Sequence, residues 1–357
     1  MAAAVVAGGL ALASLGDGDD PSADGSDPAD LTLRQLAGQR IVAGFPGEEP
    51  PRALRRTIRR GELAGLILFS NNFDDHREAR RLARRLQSIR RPPGLRDPLL
   101  VMVDQEGGEV KRLPGAPFAS AAQMGHRGNS FSRRQGRLTA RNLAAAGINV
   151  DLAPVLDVGR PGRAISDEHR SFGASARAVS DTAVPFARAL QAGGVAATGK
   201  HFPGLGDADL NTDFGVERIE LPTETLRSVD EAPFERFISA GGRLVMMSNA
   251  IYPAFSERPA VFSRSLATVE LRERLGFEGV SISDALQVAA AKAFGGPAKV
   301  GRAAARAGTD LLLFRSYRAA ARAGAALRSA LRARRLPRGE FVSSVQRVLD
   351  LRAGLGR

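Results

Sequence analysis

From about residue 32 onward, short apolar runs alternate with longer stretches in which apolar residues recur every three or four positions. The runs Arg40–Phe45, Leu63–Phe69, Leu99–Val103, Ile148–Leu152, Val195–Thr198, Leu244–Ser248, Val280–Ser283 and Asp310–Phe314 read as eight buried strands. A parallel strand covered on both faces is nearly continuously apolar, and these are. The stretches between them read as amphipathic helices: in Asp74–Arg90, for example, Ala79, Leu82, Ala83, Leu86 and Ile89 share one face. The same period covers Arg133–Ala146, Ala176–Ala192, Thr223–Ala240, Arg264–Leu275 and Ala285–Ala307, and helices at Arg318–Arg334 and Arg338–Ala353 close the chain. Successive strand–helix units predict an α/β protein, one (β/α)8 barrel of the TIM type over residues 31–357, in preference to two domains.

The first 30 residues depart from this pattern. Residues 2–15 form an uncharged apolar run, short for a bilayer span but suited to the core of an export signal, although no basic segment precedes it. Asp, Gly, Ser and Pro then dominate to residue 30, a solvated linker with little to bury. The expectation is a signal or anchor segment plus linker over residues 1–30, placing the protein outside the cell or in its envelope. If residues 2–15 are not an export segment, the location is cytoplasmic. Thr32, three residues before Gln35, has the spacing of a capping box and marks the start of globular sequence.

A parallel barrel builds its sites beyond the C-terminal ends of its strands, and polar residues gather there repeatedly. Asp104-Gln105-Glu106-Gly107-Gly108 follows the third strand, with Lys111-Arg112 close behind. Asp157 and His169-Arg170-Ser171-Phe172-Gly173 follow the fourth, and Lys200-His201-Phe202-Pro203-Gly204-Leu205-Gly206-Asp207 the fifth. Ser248-Asn249 follows the sixth strand and Asp284 the seventh. A carboxylate held at a strand end, as Asp284 is, can attack an electrophilic carbon, or it can cap the alanine-rich helix that follows. Asp104 can take two sugar hydroxyls or cap a turn. Arg112, Arg170 and Lys200 can neutralise a carboxylate cluster or donate to a ligand's oxygens.

Composition narrows the classes. With no cysteine, disulfides, thiolate metal sites and a cysteine nucleophile are excluded, and four scattered histidines offer no metal-binding pair, so no metal and no cofactor is expected. The net charge of +13 would suit nucleic acid, but only four of the 51 basic residues are lysine, the arginines are spread over many helical faces, and there is no tryptophan. Nucleic-acid binding is therefore not expected, whereas attraction to an anionic cell wall is.

Four of these stretches, Val103-Asp104-Gln105-Glu106-Gly107-Gly108, Arg170-Ser171-Phe172-Gly173, Lys200-His201-Phe202-Pro203-Gly204 and Gly279-Val280-Ser281-Ile282-Ser283-Asp284, resemble the motifs of family 3 glycoside hydrolases, in family order. The likeness is to the single-domain β-N-acetylglucosaminidase branch of bacteria. It implies a retaining β-glycosidase with Asp284 as nucleophile and Asp104, Arg112, Arg170, Lys200 and His201 binding the terminal sugar. The substrates it implies are terminal β-linked N-acetylglucosaminides, from peptidoglycan fragments or chitin-type oligosaccharides.

At one place the chain departs from that branch. Where the family carries an Asp-Ser-His triplet with the histidine as acid/base, this chain reads Asn211-Thr212-Asp213, and Leu205 replaces a further loop histidine. Either Asp213 takes over as acid/base, its pKa raised by Asp284, or turnover is impaired and the protein binds carbohydrate on an enzyme's fold. Phosphorolysis would bring phosphate against Asp213, so hydrolysis is favoured. With Gly204, Gly206 and Gly215 nearby, Asp213 is expected to lie out from an empty site and swing in when sugar binds.

Overall fold

The computed structural model describes residues 27–355; most of the expected export segment and linker lies outside them. Eight parallel strands form one sheet: β1 (Ile41–Ala43), β2 (Gly65–Ile67), β3 (Leu100–Val103), β4 (Val150–Asp151), β5 (Ala196–Phe202), β6 (Leu244–Met247), β7 (Val280–Ser283) and β8 (Leu312–Phe314). Each pairs in parallel with its sequence neighbours, and β8 pairs with β1 through Ile41–Leu312, Val42–Leu313 and Ala43–Phe314. The last seam, between β7 and β8, is closed by the Ile282–Leu311 bridge and by the Leu311 N–H donating to Ser281 O at 2.8 Å. The result is a barrel with helices outside, as the alternation of patterns predicts.

All eight predicted strands are present, and the reason is visible in burial: β1, β2, β3, β6 and β8 are buried at every position, interior and exterior alike. The helix Ala176–Ala192 has its predicted limits; the Ser175 side chain caps it by accepting from the Ala178 N–H, and Val179, Ala183, Phe186 and Leu190 form its buried stripe. The Thr32–Gln35 capping box is formed and opens the helix Leu33–Gly38.

Two predicted helices change form. Arg264–Leu275 winds with π-type bonds, the Leu275 N–H reaching Glu270 O, and Thr223–Ala240 is interrupted by a π turn at Leu226–Asp230 before Pro233. A third is corrected outright. Ala285–Ala307 is not one helix but Ala289–Lys292 and Pro297–Ala307, broken at Gly295-Gly296-Pro297, where Gly295 adopts φ +131. Residues 284–288 remain irregular. Val288, not Asp284, occupies the N-cap of the short helix, which removes the capping role for Asp284.

At the barrel's other end, buried arginines act as anchors. Arg40 donates to the carbonyls of Thr309 and Asp310, and Arg352 to those of Leu95, Asp97 and Pro98. Burial lowers both guanidinium pKa values to about 10, still far above neutrality.

Candidate active site

Asp104, Arg112, Arg170, Lys200, His201, Asp213 and Asp284 all line one cavity of about 900 Å³ at the C-terminal mouth of the barrel. The strands deliver most of them. Asp104 stands one residue past β3, Asp284 one residue past β7, and Lys200 and His201 belong to the long strand β5. Arg170 arrives from the loop after β4.

At the centre is Glu106, a residue without a role in the sequence analysis. Past Asp104 the chain enters a small hairpin, Gln105–Gly107 against Val110–Lys111, which turns the Glu106 side chain inward. Glu106 takes Lys200 Nζ at 2.6 Å and a bidentate pair of 2.9 Å bonds from Arg170. Lys200 also donates to Asp104 at 3.0 Å, Arg112 lies 3.7 Å from the other Asp104 oxygen, and Arg170 donates to Glu168 at 2.9 Å. Three cations therefore face three carboxylates. Burial alone would raise the Glu106 carboxyl, but Arg170 and Lys200 outweigh it and hold the group well below the usual carboxylate range. For Lys200, burial pulls downward and Glu106 and Asp104 overcome it, so its ammonium is held above its ordinary pKa. The Asp151 carboxyl, at the end of β4, is pushed up by burial, with its bond from the Gln105 N–H opposing.

Replacing Glu106 with Gln is expected to strand two buried cations and to cost about 3–5 kcal/mol of folding stability in urea unfolding. A loss below 1 kcal/mol would mean that Asp104 and Glu168 suffice to hold Arg170 and Lys200. The sign with pH follows from the lowered Glu106 pKa: its contribution is complete above the unfolded carboxyl's pKa and fades as pH falls toward the folded value.

His201 is positioned by Asp157, which accepts from the His201 N–H at 2.9 Å, meets Nδ1 at 2.7 Å and accepts the Leu205 N–H at 2.7 Å. The ring's Nε2 is left for a ligand. Leu205 is buried and lines the cavity.

The loop bearing Asp213 is docked on the rim. Ala289 N–H donates to Asp213 O at 3.2 Å and Ala290 N–H to Thr212 O at 3.3 Å. Asn211 works in two directions: its Oδ1 accepts the Asp213 N–H at 3.0 Å and its Nδ2 donates to Glu168 at 3.0 and 3.3 Å. Glu168 thus links the loop to Arg170. Gly206 in this loop serves packing, since a Cβ there would sit 1.8 Å from Val158 O. The Asp213 carboxyl has its pKa raised, first by desolvation at the cavity wall and next by the charge of Asp284, with Arg315 opposing.

The arrangement offers a rigid strand-end carboxylate, a second carboxyl shifted toward the protonated form, and a bank of fixed donors and acceptors. Such a set suits displacement at a carbon bearing an oxygen leaving group, with hydroxyls gripped alongside.

Comparison with known proteins agrees. The sequence profile of the glycosyl hydrolase family 3 N terminal domain matches residues 30–351. A secreted glycosyl hydrolase of Arthroderma benhamiae is 38% identical over 291 residues, covering 79% of this chain and 82% of that protein. A β-hexosaminidase of Thioalkalivibrio sulfidiphilus is 35% identical over 268 residues, 72% of this chain and 75% of that one. Among solved structures, a family 3 β-N-acetylglucosaminidase from a Paenibacillus species superposes with a TM-score of 0.85 at 32% identity; the match covers 92% of this chain and 64% of that one. A β-N-acetylhexosaminidase from Beutenbergia cavernae gives 0.83 at 30% identity, covering 91% and 99%. By this barrel, by the motifs at its strand ends and by these likenesses, the chain belongs to glycosyl hydrolase family 3, in its β-N-acetylglucosaminidase-like branch, and is a glycoside hydrolase.

Proposed function

We propose that the protein hydrolyses terminal β-linked N-acetylglucosamine, in peptidoglycan fragments or chitin-type oligosaccharides, with retention of configuration. Asp284 attacks the anomeric carbon and forms a glycosyl ester, while Asp213 protonates the departing oxygen and then, as a carboxylate, activates the water that releases the sugar. Asp104, Arg112, Arg170, Lys200 and His201 bind the terminal sugar. The observation that carries this reading is the placement of two carboxyl groups in one cavity; desolvation, and next the charge of Asp284, raise the Asp213 carboxyl. Family relatives named β-hexosaminidase and β-N-acetylglucosaminidase support the sugar. The secreted relative supports an extracellular location, and the net charge of +13 supports loose association with an anionic wall.

Turnover of an aryl β-N-acetylglucosaminide, with NMR of the first-formed anomer, tests the reading directly. An α product would overturn retention. Binding of N-acetylglucosamine without turnover, with activity created by Asp213→His, would establish the carbohydrate-binding alternative instead.

Asn211 is central to this reading because it ties the loop that carries Asp213 to Glu168. Asn211→Asp would set a carboxylate about 3 Å from Glu168, a repulsion that loosens the loop. Hydrolysis of substrates with poor leaving groups is expected to fall about tenfold, with Asn211→Ser losing less. An Asn211→Asp variant with unchanged kcat on such substrates would show that the Glu168 contact does not hold the acid in place.

A further inference from the structure

Four cationic side chains line the cavity: Arg112, Arg170, Lys200 and Arg315. Three are matched to carboxylates, Arg112 to Asp104, Arg170 to Glu106 and Glu168, and Lys200 to Glu106 and Asp104. Arg315 has no carboxylate within ion-pair distance among the described residues. An unmatched arginine on a helix face of so arginine-rich a chain would mean little, but this one is the first residue past β8, inside the cavity.

Its surroundings are built to hold it. The guanidinium lies over the Phe69 ring with its carbon 5.6 Å from the centroid, an arrangement that leaves the fork's edge free to donate. Gly44 permits the approach, since a Cβ there would sit 2.7 Å from Arg315 O and 3.1 Å from the Phe69 ring. The next residue, Ser316, donates its N–H to Gln287 Oε1 at 3.0 Å, which fixes this segment to the loop that presents Asp284.

Position decides the use. The matched cations come from β5 and from the loops after β3 and β4, whereas Phe69 and Arg315 come from just past β2 and β8 on the other side of the mouth. Phe214, next in sequence to Asp213, lines the same cavity and is 73% exposed, a bare ring beside the proposed proton donor. The group that receives that proton is the leaving group, so it lies on the side of Asp213. We infer that Arg315, with Phe69 and Phe214, forms the leaving-group subsite and selects β-N-acetylglucosaminides whose departing sugar or ring carries a carboxylate. This rests on the assignment of Asp213 as the proton donor.

The test separates the two ideas. Two S-linked N-acetylglucosaminides, one with a carboxylate on its aglycone and one with the methyl ester of that carboxylate, are bound by calorimetry to the wild-type protein and to Arg315→Gln. The O-linked counterparts are followed for kcat/KM. The wild type is expected to prefer the carboxylate in both measurements, and Arg315→Gln to reduce that preference about five- to tenfold, with Arg315→Lys intermediate. A carboxylate-to-ester ratio unchanged by Arg315→Gln, or equal loss on both ligands, overturns the proposal. Absence of turnover with a shifted binding ratio would sustain the subsite while defeating the hydrolytic reading.

Discussion

Asp284→Asn is expected to abolish hydrolysis of an aryl β-N-acetylglucosaminide, by a factor on the order of 10⁴ or more. The carboxylate stands one residue beyond β7, whose Val280–Ser283 pairs residue by residue with Leu244–Met247, so its backbone is fixed by the sheet. An amide at this position keeps the shape and loses both the nucleophilic oxygen and the negative charge that would stabilise an oxocarbenium-like transition state. Binding of the free sugar should change little in comparison, because the charged cluster around Glu106, which we propose grips the hydroxyls, is separate. Azide added to an Asp284→Gly variant with an activated aryl substrate should restore product with inverted configuration, since there a small anion can occupy the space of the lost carboxylate. Residual activity within tenfold of wild type, with no azide effect, would mean that Asp284 only positions the sugar. The variant also removes the charge that raises Asp213, so the alkaline limb of any residual pH profile should move down.

The barrel was legible in the sequence because each strand is covered on both faces and its apolar run is therefore nearly unbroken. The helix after β7 was not. Alanine at almost every position of 285–307 satisfies helical period whatever the chain does, and the loop at 284–288 is fixed by tertiary bonds such as Leu286 N–H to Leu313 O at 3.0 Å. In the site, position at a strand end singled out Asp104, Lys200 and Asp284 as candidates, the family resemblance supplied their roles, and one cavity gathers all three. Glu106 was quoted within its motif yet given no part, because nothing local shows that the hairpin after β3 turns it inward. A charge balance would have found it: Arg112, Arg170 and Lys200 cannot be buried together with Asp104 as their only acid. Glu168 was not singled out, and Asp157 stood among the strand-end residues without a role, for a different reason. They act on other side chains, Asp157 on His201 at a separation of 44 residues, and only the fold brings such pairs together. Arg315 is one arginine among many until its cavity is seen.

Asp213→Asn should separate substrates by their leaving groups. A general acid typically contributes about 10²–10⁴-fold, and it does so only where the departing oxygen needs a proton. Oligosaccharides and alkyl glycosides are therefore expected to lose on the order of 10²–10⁴ in kcat/KM, while a dinitrophenyl glycoside, which departs as a stable anion, loses only a few-fold in the glycosylation step. The same carboxyl must later act as base, so with activated substrates the variant should accumulate the glycosyl-Asp284 ester, visible as a burst and as a mass increase on the intact protein. The pH dependence has a definite sign. Desolvation at the cavity wall and the neighbouring Asp284 raise the Asp213 pKa, so the protonated form persists above the ordinary carboxyl range, and rates on poor leaving groups should fall as pH rises through the raised value. That limb should vanish in Asp213→Asn. Asn211, which accepts the Asp213 N–H and ties the loop to Glu168, is untouched by this substitution, so the loop itself should stay docked. Equal losses on both classes of leaving group, with the alkaline limb intact, would show that Asp213 holds the loop and that the proton comes from elsewhere in the cavity.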